Sequence, residues 1–175
     1  MRFTRGFTLV ELLVTVAVLG VLLAVAVPSF TDMMRNNRSL AAANELVSAL
    51  NAARSEAIKR GARVSLCPSA NGTSCSGTAW QSGWIVFFDT AASDRTTPAV
   101  VGTVLNRRTA MPSGATATAT GTATVTATFI RYSGLGFAPV RTNIRVQATG
   151  CTGSNARIIA ISASGRVSVQ KDTCT

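Results

Sequence analysis

Gly6-Phe7-Thr8-Leu9-Val10-Glu11 opens the stretch that decides this fold: a small residue behind a leader carrying Arg2 and Arg5, then an apolar run that reaches Val27. Phe7 to Val27 is 21 residues with Glu11 as its single charge. A helix of that length, rising about 1.5 Å per residue, reaches roughly 31 Å and can cross a hydrocarbon core once. Arginines ahead of a span hold that end in the cytoplasm, so the rest of the chain is expected on the far side. A secretory signal carries its small-residue cleavage motif after the apolar run and loses the run. Here Gly6 precedes it, and Ala24 to Pro28 gives only a weak A-x-A-like match, so the apolar helix is expected to stay in the mature chain. A carboxylate within a span costs on the order of 2.5 to 3.5 kcal/mol on insertion scales, and no cation in the run offsets Glu11. That residue needs a partner or a task.

This N-terminus resembles the class III signal of type IV pilins and type II secretion pseudopilins. Gly6, Phe7 and Glu11 match the pattern residue for residue, and Pro28 falls at a helix-bending position common in the group. The resemblance implies a prepilin peptidase that cuts between Gly6 and Phe7 and methylates the new amine of Phe7. That amine lies four residues before Glu11, on the same helix face, and in a packed helical array a neighbour's amine serves equally well. The resemblance implies that second use and makes Glu11 and Pro28 the expected assembly residues, with Glu11 setting register between subunits.

From Ser29 to about Lys59 the pattern is helical, with Phe30, Met33, Met34, Ala41, Leu46, Leu50, Ala53 and Ala57 mostly three or four apart. Ser48, Asn51, Ser55 and Lys59 take the opposite side, and Gly61 is a C-cap candidate. The span and this segment form one long rod in this reading, bent where Pro28 removes a backbone donor. Beyond Gly61 the chain changes to short β-like runs: Arg63 to Cys67, Trp84 to Asp89, Val100 to Asn106, Val125 to Tyr132, Ile144 to Ala148, Arg157 to Ser162 and Arg166 to Gln170. Pro68 to Gly83 reads as a loop. Ser113 to Ala127, almost all Ala, Thr and Gly, reads as either an alternating strand or a loop. The fold expected is α+β, a long N-terminal α-helix (membrane span plus amphipathic half) packed against an antiparallel β head. Residues 1–6 are leader, 7–28 the transmembrane half, 29–60 the amphipathic half and 61–175 the disulfide-bonded head.

The string Leu46-x-x-x-Leu50-x-x-Ala53-Arg54-x-Glu56-Ala57-Ile58-x-Arg60, then Val64-x-Leu66-Cys67, Trp84-Ile85-Val86-Phe87 and Gly165-Arg166-Val167 resembles the GspH/FimT/FimU group of minor pilins and pseudopilins. Read without the family, Leu46, Leu50 and Ala53 are core, Arg54 and Glu56 lie on a solvated face, and Trp84 to Phe88 is a buried strand. The resemblance implies a structural subunit of a type IV pilus, near its tip, supporting pilus biogenesis. Its partners are other major and minor pilins or pseudopilins, prepilin peptidase and the inner membrane. The head is expected in the periplasm before assembly, then in the pilus or pseudopilus at the cell surface. The alternatives are a DNA-binding minor pilin for natural transformation, with double-stranded DNA as partner, and a minor pseudopilin of a type II secretion system.

Four Cys in an exported chain read as two disulfides. Local pairing, Cys67 with Cys75 and Cys151 with Cys174, is expected among the three connectivities that four cysteines allow. Between Asp94 and Asp172 the chain has nine basic residues and no acid. Such a one-signed stretch attracts anions and can neutralise phosphates, in competition with salt. Arg131, Arg141, Arg145, Arg157, Arg166 and Lys171 are the candidate DNA contacts, set against the plainer reading that the arginines are spread around a generally basic head. Gly165 and Arg166 match the start of a Gly-Arg-x-Arg motif of DNA-receptor relatives, while Ser168 stands at its second Arg. Catalysis is not expected. The chain has no His, its cysteines are expected to be paired, and no nucleophile sits with a base. Asp89 and Asp94 read as turn formers, and neither a metal nor a cofactor is expected.

Overall fold

In a computed structural model of the chain, residues 7–92, 98–111, 114–121 and 128–175 are described. One helix, α1, runs Leu9–Arg60 with Pro28 inside it. Thr8 starts it, its Oγ1 accepting from the Glu11 amide at 3.2 Å, which is half of a capping box. Gly61 ends it at φ 60°: the Gly61 amide reaches Ile58 O and the Ala62 amide reaches Ala57 O, both orphan-carbonyl bonds of a Schellman cap. The chain divides into two compact units, Met1–Met34 and Arg35–Thr175.

In the second unit, α1 lies on two antiparallel four-stranded sheets. The strands are β1 (Val64–Pro68), β2 (Trp84–Asp89), β3 (Val101–Arg108), β4 (Ala115–Gly121), β5 (Ile130–Tyr132), β6 (Thr142–Ala148), β7 (Ala156–Ile161) and β8 (Val167–Asp172), with one 3-10 turn at Trp80–Ser82. One sheet has the order β3-β2-β1-β5 and the other β4-β6-β7-β8. The buried helix stripe, Ala43, Leu46, Leu50, Ala53 and Ala57, follows the three-and-four spacing of an amphipathic helix. It meets Val64, Leu66, Val86 and Tyr132 of the first sheet and Ile144, Val146, Ile159 and Ile161 of the second in one core. The far face of the first sheet buries a smaller cluster, Cys67, Ile85, Phe87 and Phe129.

Several expectations are corrected. Phe30, Met33 and Met34 are exposed rather than part of the buried stripe, and Ala41 is exposed while Ala42 and Ala43 are buried. The first buried residue of the helix is Ser39, whose Oγ accepts from the Ala148 amide at 2.9 Å, and Asn36 one turn earlier already accepts from Arg157 of β7; apolarity alone does not mark that onset. The run expected from Val125 begins as a strand only at Ile130, and residues 125–127 lie outside the described set. Within Ser113 to Ala127 the alternation forms a strand over Ala115–Gly121. Ala117 is buried opposite Val146, and Thr116 and Thr118 take the other face. Disulfides join Cys67 to Cys75, with Cα atoms 5.5 Å apart, and Cys151 to Cys174, at 5.6 Å.

Candidate functional site

The N-terminal half of α1 is apolar and uncovered. Its strongest window has a mean hydropathy of 2.7 and none of it is buried by the chain itself. Leu9, Val10, Leu12, Leu13 and Leu19 are all more than half exposed. Gly6, on one side of the expected cleavage point, lies outside the described residues, while Phe7 is 84% exposed. Glu11 is exposed on the first turn and makes no ion pair among the described residues. At Pro28, whose ring leaves the carbonyl four residues earlier without its donor, the helix continues, and the Thr31 hydroxyl donates to Pro28 O at 2.7 Å.

In Arg35–Thr175 the six candidate DNA contacts do not form one surface. Arg131 is buried: its Nε donates to Asp89 Oδ2 at 2.6 Å, with both side chains at most 2% exposed. Asp89 also accepts from Ser65 Oγ at 2.6 Å and from the amides of Ala91 and Val100 at 3.0 Å each. Burial pushes the Asp89 carboxyl up, but the bonds from Arg131, Ser65, Ala91 and Val100 outweigh it and hold the group below the usual carboxylate value. Arg157 is also buried, donating to Asn36 Oδ1 at 2.6 Å and to Ala156 O at 2.9 Å. Neither can reach a phosphate from where it is. Arg145 pairs with Asp172 and donates to Thr175 Oγ1. Only Arg141, Arg166 and Lys171 of the six are exposed with no ion pair among the described residues.

Arg54 is the residue that pattern reading misplaced. Instead of lying on a solvated face, it donates through Nε to Gly136 O at 3.0 Å and through Nη2 to Ser164 O at 2.9 Å. Those carbonyls belong to the turn after β5 and the turn between β7 and β8, so one guanidinium joins the two sheets beside the helix. The turns approach closely enough that a Cβ at Gly165, where φ is +76°, would meet Gly136 O at 2.0 Å. The three glycines Gly134, Gly136 and Gly165 were the available sequence signal. Glu56 does face solvent, paired with Arg60 at 2.7 Å. Tyr132 is buried, its hydroxyl has no hydrogen-bond partner among the described residues, and burial pushes that phenol above its ordinary value while the Arg54 charge opposes the shift. No group of His, Cys, Asp or Glu that could hold a metal occurs among the described residues.

An uncovered apolar helix continuous with one that anchors a two-sheet antiparallel head defines a pilin-like subunit. Comparison with known proteins narrows this. A family described as Type II transport protein GspH matches residues 42–165, and the Prokaryotic N-terminal methylation motif matches residues 1–27. The chain belongs to the GspH family of minor pilin and pseudopilin subunits, which are structural proteins and not enzymes. Two curated relatives, each a Fimbrial protein of Pseudomonas aeruginosa, are 39% identical over 64 residues, 37% of this chain and 41% of theirs, so the match spans about two fifths of their length. The type IV minor pilin FimU of Pseudomonas aeruginosa PAO1 is similar in fold in two crystal forms. One has a TM-score of 0.60 at 18% identity, covering 79% of this chain and 92% of that one; the other has 0.56 at 20%, covering 75% and 91%.

Proposed function

We propose that this chain is a minor subunit of a type IV pilus, positioned near the tip and supporting pilus biogenesis. The observation that carries this reading is the apolar half of α1, which the chain leaves wholly uncovered behind an N-terminal methylation motif. Such a surface needs either a bilayer or neighbouring helices, and a subunit that moves from membrane to fibre uses both in turn. In this reading residues 1–6 are removed between Gly6 and Phe7, the Phe7 amine is methylated, residues 7–28 hold the chain in the inner membrane, and residues 29–60 carry a head of residues 61–175 into the periplasm. Glu11 then pairs with a neighbouring subunit's N-terminal amine, which removes the unfavourable free energy of a lone carboxylate among apolar helices.

The test is Glu11→Ala in the full chain. Cleavage is expected to proceed while recovery in sheared surface fibres falls at least tenfold, as read by immunoblot. Wild-type recovery of the variant removes the assembly role. The description of the matching family as a type II transport protein favours one further reading, a pseudopilus subunit for protein export. Deleting the chain separates the two: lost surface fibres with normal secretion support the pilus, and the reverse supports the secretion system. The exposed, acid-free cations Arg141, Arg166 and Lys171 favour a third, capture of DNA by the head.

A further inference from the structure

We propose that the turn Ser133–Phe137, with Ile58 beside it and Lys59, Arg141 and Arg166 around it, is a docking surface for an acidic neighbouring protein. Leu135 is 79% exposed, Phe137 53% and Ile58 51%. Gly136, between Leu135 and Phe137, lies against Ile58, since a Cβ there would meet Ile58 Cδ1 at 2.6 Å. The turn is fixed from several directions. The Gly136 amide donates to Ser133 O at 2.8 Å, the Ser133 amide to Phe137 O at 2.9 Å and the Ala138 amide to Ala163 O at 3.1 Å, while Arg54 holds Gly136 O. An apolar knob already held in one shape loses little freedom on docking, and an apolar centre with a charged rim is the usual anatomy of a protein interface.

The rim is basic. Lys59 follows Ile58 on α1, Arg166 follows the close-packed Gly165, and Arg141 precedes Thr142, which pairs with Ile161 at the same end of the sheet. None of the three makes an ion pair among the described residues. The described acids of Arg35–Thr175, Glu45, Glu56, Asp89 and Asp172, are each already paired, with Arg108, Arg60, Arg131 and Arg145. The Arg35–Thr175 unit of a second copy would bring like charge to the rim and offers no unpaired side-chain carboxylate among its described residues, so the occupant is expected to supply carboxylates from another sequence. Phe137 is the one aromatic among the three exposed side chains. The aliphatic Leu135 and Ile58 beside it give successive bases of a nucleic acid nothing further to stack on, while a fluid lipid surface gains nothing from a knob held in one shape. A protein with an apolar pocket bordered by carboxylates uses both features.

This inference rests on the proposed subunit reading in that the acidic protein is expected to be another subunit of the same fibre. The test places the photocrosslinker p-benzoylphenylalanine at position 135 of the full chain in fibre-producing cells, with a control probe at position 118 on the outer face of β4. Non-reducing immunoblots check the amount and disulfides of each variant. The expected result is a nuclease-resistant adduct from position 135 alone, to a protein with an N-terminal methylation motif and a net negative head. Lys59→Glu with Arg166→Glu is expected to reduce it at least tenfold. An adduct of twice the chain's own mass, a nuclease-sensitive adduct or a lipid adduct overturns the proposal. If the chain is recovered in sheared fibres with no adduct, the docking surface fails and the subunit reading stands. If the acidic adduct forms while the chain is absent from fibres, the docking surface stands and the subunit reading fails.

Discussion

Asp89 accepts four hydrogen bonds in a site that excludes water, and this makes it the residue on which the first sheet is most sensitive. It ties Ser65 of β1 and Arg131 of β5 to the chain entering β3 through the Val100 amide. Asp89→Asn keeps the shape and removes the charge that compensates Arg131. Breaking a buried pair from one side costs about 3 to 5 kcal/mol, and a urea midpoint of the full chain in detergent should fall accordingly. The sign with pH follows from linkage. The folded carboxyl titrates below its unfolded value, so its contribution is complete above about pH 4, the usual carboxylate value, and is lost as pH falls through the folded pKa. Wild type should therefore lose stability below about pH 4 more steeply than the Asn variant. Arg54 acts by a different route, through two carbonyls in turns of different sheets. Arg54→Ala is expected to cost about 1 to 3 kcal/mol and to raise amide exchange at both turns together, whereas a residue on a solvated face would change neither.

At the scale of elements, α1 was legible in the sequence almost to its last residue, because an apolar run, a helical periodicity and a C-cap Gly each have a local cause, while the Thr8 cap that sets its start at Leu9 was found only in the structure. The strands were legible to within a few residues at most of their ends. What pattern reading could not supply was partnership between elements. Ala41, Ala42 and Ala43 are equally apolar, and which of them is buried follows from how the helix docks on the second sheet, held there by Ser39 on Ala148 and Asn36 on Arg157. The Ala and Thr alternation of β4 becomes a strand because Ile144 and Val146 present it with an apolar bed across the sheet. Arg131 and Arg157 looked like their exposed neighbours because a sequence does not state which arginine finds an acid or an amide inside. The Cys151–Cys174 disulfide ties the turn after β6 to the end of β8, closing 23 residues of separation that contain all of β7 and β8. Cys151→Ser with Cys174→Ser should cost about 2 to 4 kcal/mol, read as a lower urea midpoint. Fraying should concentrate in β8, which among the described residues pairs only with β7.

For the whole molecule the decisive quantity is how the formal charge of +10 is distributed. Part of it is structural. Arg131 and Arg157 lie inside, and Arg60, Arg108 and Arg145 are held by acids, so changing these alters the fold before it alters any encounter. Arg141, Arg166 and Lys171 are exposed and carry no such duty, which makes them the fair test of a DNA-capturing head. Replacing all three with Gln should change the unfolding free energy, read from the urea titration, by no more than about 0.5 kcal/mol per site, as is usual for surface substitutions. If these side chains neutralise phosphates, each should also reduce the slope of log affinity against log salt by about 0.9 on duplex DNA. Titrating the full chain in detergent against duplex DNA at several salt concentrations gives both affinity and slope. An unchanged slope would mean that these cations meet no phosphate, leaving the acid-free surface for protein partners. A slope reduced by close to three contacts, with stability unchanged, would assign them to DNA. Arg131→Gln serves as the internal control, since its midpoint should fall while the slope per folded molecule stays constant, because a guanidinium 2.6 Å from a buried carboxylate releases no counterion from DNA.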